Sequence, residues 1–356
     1  MPSLKEIKGR INSISSTLAI TSAMKMVAAA KLQKAQMAIQ NMLPYERRLY
    51  SMLLDLMGAM NISAAASEDG SVRGSGSAER GFDQSGDRLS LSNRHDLAGM
   101  DGAYSLMAQR EVRKVAIVAF ASNSSLCGAF NSNAIREATA VINEYRASGL
   151  RDSDIVVYSV GRKMAEAMRK LGFPSPADFT KMSDSPSYEA ASALAQELLD
   201  GFVSGRFDKV ELVYNHYKST SSQPTTRQTY LPLSLADATA DLQAGKIADS
   251  ASESDTNRGA EPVVRQNSPT TETPDLIVEP SKEELIATLL PKVIRLRIFT
   301  TLLDSAAAEH AARTVAMQLA TDNGNDLLQE LTLEYNKGRQ QKITSEILDL
   351  VGGSMQ

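Results

Sequence analysis

The sequence predicts an α/β fold joined to a long antiparallel α-helical coiled coil formed by the N- and C-terminal helices, with a small, mainly parallel sheet domain in the middle. Three observations carry this. Both ends of the 356-residue chain show sustained helical periodicity. The middle alternates strand-like and helix-like runs. Two polar, acidic stretches interrupt the chain where one pattern gives way to the other.

The first helix opens on Leu4, Ile7, Ile11, Ile14 and Leu18, a seven-residue hydrophobic repeat. The phase slips near Thr21 and the stripe resumes through Met24, Ala28, Leu32, Ala35, Ile39 and Met42, as a stutter would produce. Pro44 is expected to kink or briefly break the helix, after which Leu49, Met52, Leu53, Leu56 and Met60 continue it. Up to Tyr45 the charge is +5, against −4 for the whole chain, which suits either a solvated face or acidic partners.

From about Ser63 to Leu97 the composition is that of a flexible insert. Val115–Phe120 then reads as a buried strand, residues 133–145 as a helix and Ile155–Val160 as a second strand. A short helix over 162–171 and a longer one over Tyr188–Val203 follow. Residues 210–217 alternate like a strand, and residues 228–233 should pair with it. Such alternation indicates a mainly parallel sheet with crossover helices. Residues 236–273 form a second acidic, polar insert. Ser281-Lys-Glu-Glu284 has the form of a capping box at the start of the last helix. Pro291 is a candidate kink there. The helix carries an alanine-rich middle (Ala306, Ala307, Ala308, Ala311, Ala312) that permits close approach of a neighbour, and it stops at Gly352-Gly353. At the α-helical rise, about 70 residues of this helix span roughly 100 Å and the first helix roughly 85 Å. A compact globule of this length has a radius of gyration of only about 20 Å, so the two helices should pair outside a small domain. The resulting division is 1–62 (N-terminal coiled-coil helix), 63–110 (polar insert and linker), 111–235 (Rossmann-like α/β domain), 236–274 (acidic insert) and 275–356 (C-terminal coiled-coil helix).

Catalytic signatures are scarce. The chain holds no Gly-x-x-x-x-Gly-Lys-Ser/Thr loop and no Gly-x-Ser-x-Gly elbow. Gly74-Ser75-Gly76 is followed by Glu79 where a dinucleotide fingerprint needs Gly. The loop from Ser122 to Ala129, after the first strand, is the best pocket candidate, yet its single glycine suits a turn-and-cap role better than a phosphate cradle. Cys127 has no nearby His in sequence and reads as a small buried residue. His95, His216 and His310 show no metal-ligand spacing. One Cys excludes an internal disulfide framework, and no stretch reaches the about 20 apolar residues of a membrane-spanning helix. No cofactor and no metal are expected, and a mechanical or interaction protein is favoured over an enzyme. The alternative is a nucleotide-binding α/β enzyme with helical extensions. A nucleic-acid binder using the basic first helix is a further rival, which the acidic overall balance disfavours.

Several segments resemble the gamma subunit of F-type ATP synthases, of the bacterial type. They are Ile20-Thr-Ser-Ala-Met-Lys-Met-Val-Ala-Ala-Ala-Lys-Leu32, Glu309-His-Ala-Ala-Arg313, Ala316-Met317, Ala320-Thr-Asp-Asn-Gly324 and Tyr335-Asn-Lys-Gly-Arg-Gln-Gln-Lys-Ile-Thr-Ser-Glu-Ile347. Leu126-Cys-Gly128, Leu231-Pro-Leu233 and Glu279-Pro280 fit as well. The resemblance implies a non-catalytic central-stalk rotor, one copy per complex. Its paired helices would lie inside a hexamer of alternating alpha and beta subunits, with the α/β domain on the epsilon subunit and the membrane ring of c subunits. It also implies torque-transmitting partner contacts at Met24, Lys25, Arg313 and Gln340, with Arg313 and Gln340 in the same neighbourhood as the first two. The chain departs from the family at Asn123-Ser124-Ser125, where Asp-Arg-Gly is common, at Ser15 and Ser22, where lysines are frequent, and at Ala308, often Ser. Cys127 alone cannot form the regulatory dithiol of chloroplast members. With no transit peptide before the first helix, the expected location is the cytoplasmic face of a bacterial inner membrane, peripheral through the complex.

Overall fold

The computed structural model describes residues 3–59, 106–107, 109–233, 279 and 281–354; the two polar inserts fall almost wholly outside the described residues. The elements are α1 (Leu4–Ala59), β1 (Val115–Phe120), α2 (Phe130–Ala147), β2 (Ile155–Val160), α3 (Arg162–Lys170), α4 (Thr180–Asp184), α5 (Tyr188–Val203), β3 (Lys209–Asn215), β4 (Thr225–Leu231) and α6 (Lys282–Ser354).

The two ends of the chain pair antiparallel, as the periodicity indicates. Leu49 and Tyr50 pack with Val293 and Leu296, and Leu32 with Ala307 and Ala311. Higher up, Thr321 Oγ1 donates to Thr21 Oγ1 at 3.1 Å. Gly324 then leaves room for Leu18: a Cβ there would sit 2.6 Å from Leu18 Cδ2. At the top, Leu4 lies against Gly338. Residue numbers fall on one helix as they rise on the other, so the pairing holds one register over nearly all of α1. Beyond Gly338, α6 continues to Ser354 with residues 339–351 exposed, a single helix about 24 Å long.

Neither proline breaks its helix. α1 runs unbroken over 56 residues through Pro44, and α6 over 73 residues through Pro291. A proline removes one backbone hydrogen bond. Here the flanking turns are held by the partner helix, through Met42, Leu49, Val293 and Leu296. The C-terminal glycines likewise lie within the helix, which ends at Ser354. Ser281 acts as the expected N-cap, its Oγ accepting from Glu284 N at 3.2 Å.

The sheet order is β2-β1-β3-β4, with β1 parallel to both neighbours and β4 antiparallel to β3. All six residues of β1 are buried, which is why it reads as a continuous apolar run. Ala116, Val118 and Phe120 face one core, while Val115, Ile117 and Ala119 face the other under α2 and α3. The first core also holds Leu194 and Leu198 of α5, Leu53 and Leu56 of α1, and Ile286, Leu290, Ile294, Ile298 and Leu302 of α6. The last set repeats at every fourth residue, one full stripe of a helix. The base of the coiled coil is therefore a layer of the α/β domain, and the core crosses the sequence division between 111–235 and the terminal helices. β1 and β2 match their expected bounds, β3 and β4 differ from 210–217 and 228–233 by up to three residues at an end, and the short α4 carries no sequence periodicity that would announce it.

Between β2 and α3, Gly161 has φ +96°, and a Cβ there would lie 2.0 Å from the carbonyl oxygen of Ala121. That carbonyl belongs to the chain leaving β1, so neither backbone can yield without breaking the parallel pair. Gly161→Ala is expected to destabilise the folded chain by about 2–4 kcal/mol, read as a lowered urea midpoint.

Candidate functional site: the joint between shaft and domain

In an open α/β sheet, ligands bind outside the C-terminal strand ends where the strand order reverses. Here that point lies between β1 and β3, and α6 fills it. Arg313 reaches the loop after β1: its guanidinium donates to Ser125 O at 2.7 Å, to Ser124 Oγ at 2.8 Å and to Glu309 Oε1 at 2.6 Å. Asp304, nine residues earlier on α6, holds the loop after β3. Its Oδ1 accepts from Tyr217 N at 2.9 Å, and Oδ2 lies 2.6 Å from His216 Nδ1. Between these ties, Ala308 and Ala312 pack on Cys127, Phe130 and Tyr217. On the other side of the same helical turns, Ala307 and Ala311 meet Leu32 of α1. The alanine run lets three elements converge on one helix. Larger side chains would push the domain off the shaft.

The loop after β1 satisfies its own polar groups, which is the turn-and-cap role its composition suggests. Asn131 Oδ1 accepts from Ser122 N and Ser122 Oγ, both at 3.0 Å. Asn123 Oδ1 accepts from Arg162 N at 2.7 Å and so occupies the N-terminus of α3, where an anion would bind. Asn123 Nδ2 donates to Thr180 O at 2.7 Å. Leu126 has φ 68° and Gly128 φ 58°, and between them Cys127 turns inward, where it is buried. Asn131 Nδ2 donates to its Sγ at 3.1 Å. No group of three or more His, Cys, Asp or Glu that could hold a metal ion occurs among the described residues.

A small cleft remains beside the joint, lined by Phe120, Ala121, Val160, Ser183, Ser305 and Glu309 among others. Ser183 Oγ donates to Ala121 O at 3.0 Å along one wall. Burial raises the Glu309 carboxyl above its ordinary range even though Arg313 pulls the other way. Burial also pushes the neighbouring His310 down to about 4, helped by Lys31 and Arg313, so this imidazole is neutral and its buried Nδ1 has no partner among the described residues. His216 is the opposite case. The hydrogen bond and charge of Asp304 raise it against burial and Lys218.

The four residues singled out in the sequence fall at different places. Met24 and Lys25 are half-buried on α1, about one turn below Thr21, toward the base of the coiled coil. Arg313 is buried and turned inward, 8% exposed. Gln340 is exposed on the single-helix tip, 27 residues from Arg313 and so about 40 Å along α6. The structure therefore does not bring Gln340 into the neighbourhood of the other three, because α6 is one unbroken helix from Arg313 to Gln340. The Asp304 and His216 contacts have no local sequence signal: the partners are 88 positions apart.

Removing the cation of a buried pair strands its partner. Arg313→Met is expected to cost about 3–5 kcal/mol near neutral pH. With Arg313 gone, the folded-state Glu309 carboxyl rises further above its unfolded value, so stability is highest where the carboxyl is protonated in both states and falls as pH rises through the raised value. The loss in this variant should thus be smaller at about pH 5 than at about pH 8 in urea titrations.

A family model described as ATP synthase matches residues 3–355. ATP synthase gamma chains are similar over their full length. That of Phocaeicola vulgatus is 47% identical over 355 residues, covering 100% of each chain. That of Bacteroides thetaiotaomicron is 44% identical, again covering 100% of each. That of Flavobacterium johnsoniae is 36% identical, covering 99% of this chain and 98% of its own. Among solved structures, a chain of the Euglena gracilis mitochondrial ATP synthase (OSCP/F1/c-ring, rotational state 3) aligns with TM-score 0.53 and 19% identity, covering 99% of this chain and 93% of that one, a likeness of fold. A shaft of two paired termini, a ligand crevice filled by that shaft, and full-length similarity to these relatives agree: the chain belongs to the ATP synthase gamma-chain family, the non-catalytic central-stalk rotor subunits of F-type ATP synthases.

Proposed function

We propose that the chain is the central shaft of a proton-translocating bacterial ATP synthase, with its paired helices inside the hexamer of alternating alpha and beta subunits. The α/β domain then forms the foot, seated on the epsilon subunit and the c-ring at the cytoplasmic face of the inner membrane. The observation that carries this reading is the shape of the shaft. The pair extends well beyond the domain and ends in a single helix whose Ile343, Ile347, Leu350 and Val351 are exposed at 47, 55, 74 and 50%. Such a bare apolar tip suits a surrounding protein sleeve better than water. No helix among the described residues is long and apolar enough to cross a membrane, which fits a subunit attached through its partners.

Torque requires contacts whose free energy differs between rotational positions. Met24 and Lys25 supply one band of such contacts, half-buried against α6 yet able to reach outward, with Lys25 offering a cation to acidic partner loops. Gln340 supplies a second band on the tip. Arg313 contributes from inside, by fixing the loop after β1 to α6 so that shaft and foot turn together. A shaft must also avoid strong binding at any one angle, and the absence of Trp suits that need, since Trp anchors tight interfaces.

Purification of the complex should recover this chain at one copy per three alpha–beta pairs, together with ATPase activity. A monomer with none of these partners would contradict the reading. Within the assembled complex, Lys25→Glu should lower ATP-driven proton pumping about fivefold relative to ATP hydrolysis. Unchanged pumping would remove Lys25 from the torque path.

A further inference from the structure

The foot grips the shaft through a contact that can gain or lose a charge. His216 and Tyr217 leave the end of β3 and bridge both shaft helices. Asp304 of α6 holds His216 Nδ1 at 2.6 Å and Tyr217 N at 2.9 Å, and Tyr217 Oη accepts from Gln36 Nε2 of α1 at 2.6 Å. The β3 strand ends at Asn215, short of the alternating pattern's end at Tyr217; His216 N still donates to Pro224 O at 2.9 Å, and the next amide, Tyr217 N, turns to Asp304. His216 is half-exposed on its side chain while Asp304 is largely covered, so protons reach the imidazole without unfolding of the joint. The charged groups acting on His216 are Asp304 from α6 and Lys218 from its own loop, and α1 brings the neutral amide of Gln36 to the same place.

We propose that His216 and Asp304 form a proton-gated latch between the foot and both shaft helices, through which torque passes most stiffly when the imidazole is charged. The proposal rests on the rotor reading given above. A charged imidazole gives Asp304 a charge-assisted hydrogen bond, whereas a neutral one leaves an ordinary bond on a carboxylate that still must hold Tyr217 N. The folded-state His216 value is raised, so the latch is complete below the ordinary histidine range and weakens as pH rises through the raised value. Arg313, paired with Glu309 on α6, holds Ser124 and Ser125 of the loop after β1, so an open latch loosens one side of the foot and leaves the other attached.

The test uses the assembled complex in lipid vesicles, from about pH 6 to about pH 9. Two quantities are read: protons pumped per ATP hydrolysed, and hydrogen-exchange protection of the Tyr217 amide corrected for intrinsic exchange. In the unsubstituted complex, protection should fall about fivefold with rising pH, and the pumping ratio should fall with the same midpoint. His216→Lys, permanently charged over this range, should hold both quantities at the acid-side level. His216→Gln, never charged, should hold both at the alkaline-side level. Retention of the unsubstituted pH profile by either variant would overturn the latch, as would Tyr217 protection that ignores pH. Protection that follows the latch while the pumping ratio does not would overturn its role in torque. A complex that never pumps contradicts the rotor reading instead, and the exchange measurement still decides whether the latch exists.

Discussion

Everything in this molecule depends on the two ends of the chain finding each other. A helix of 56 residues with a narrow apolar stripe gains little from standing alone in water, and most helical stability comes from packing such a stripe against a partner. α6 supplies that partner along nearly all of α1, from Tyr50 and Val293 at the base to Leu4 and Gly338 at the top. The same helix also contributes Ile286, Leu290, Ile294, Ile298 and Leu302 to the core of the α/β domain. One face of α6 thus folds the domain while another builds the rod, and the rod cannot separate from the domain without opening its core.

This shared helix explains why a domain with nucleotide-binding topology binds through its shaft. The crevice at the strand-order reversal is occupied by Asp304, Ala308, Ala312 and Arg313, and the anion-binding N-terminus of α3 is capped by Asn123. The chemistry that elsewhere holds a phosphate here holds a helix. Polar ties suit a mechanical joint, because a buried ion pair such as Arg313–Glu309 fixes geometry at little net gain in stability. The alanines set how closely shaft and foot approach, and the bonds of Arg313 and Asp304 hold the two loops on α6.

Much of this was readable from residue order. The repeat from Leu4 to Leu18, the alanine run at 306–312 and the apolar run Val115–Phe120 each report a local pattern that burial then uses directly. What escaped was set by distant partners. Pro44 reads as a kink or brief break and Pro291 as a kink because local propensity sees only the lost hydrogen bond, while the opposing helix holds the turns on either side and both helices run on. The inward turn of Arg313 depends on Ser125, 188 positions away, and the Tyr217 amide beyond β3 finds its acceptor in Asp304. The distance between Arg313 and Gln340 needed only the helical rise, yet shared motif membership suggested proximity that an unbroken helix does not allow.

If α1 and α6 are one rod turning as a unit, locking them together leaves rotation intact. Thr21 and Thr321 hydroxyls lie 3.1 Å apart, and the native Cys127 is buried away from them. In a complex carrying Thr21→Cys and Thr321→Cys, oxidation should form the bond within one chain, and ATP-driven rotation should continue at its previous rate. Absence of the internal bond, or rotation that stops once it forms, would contradict the account.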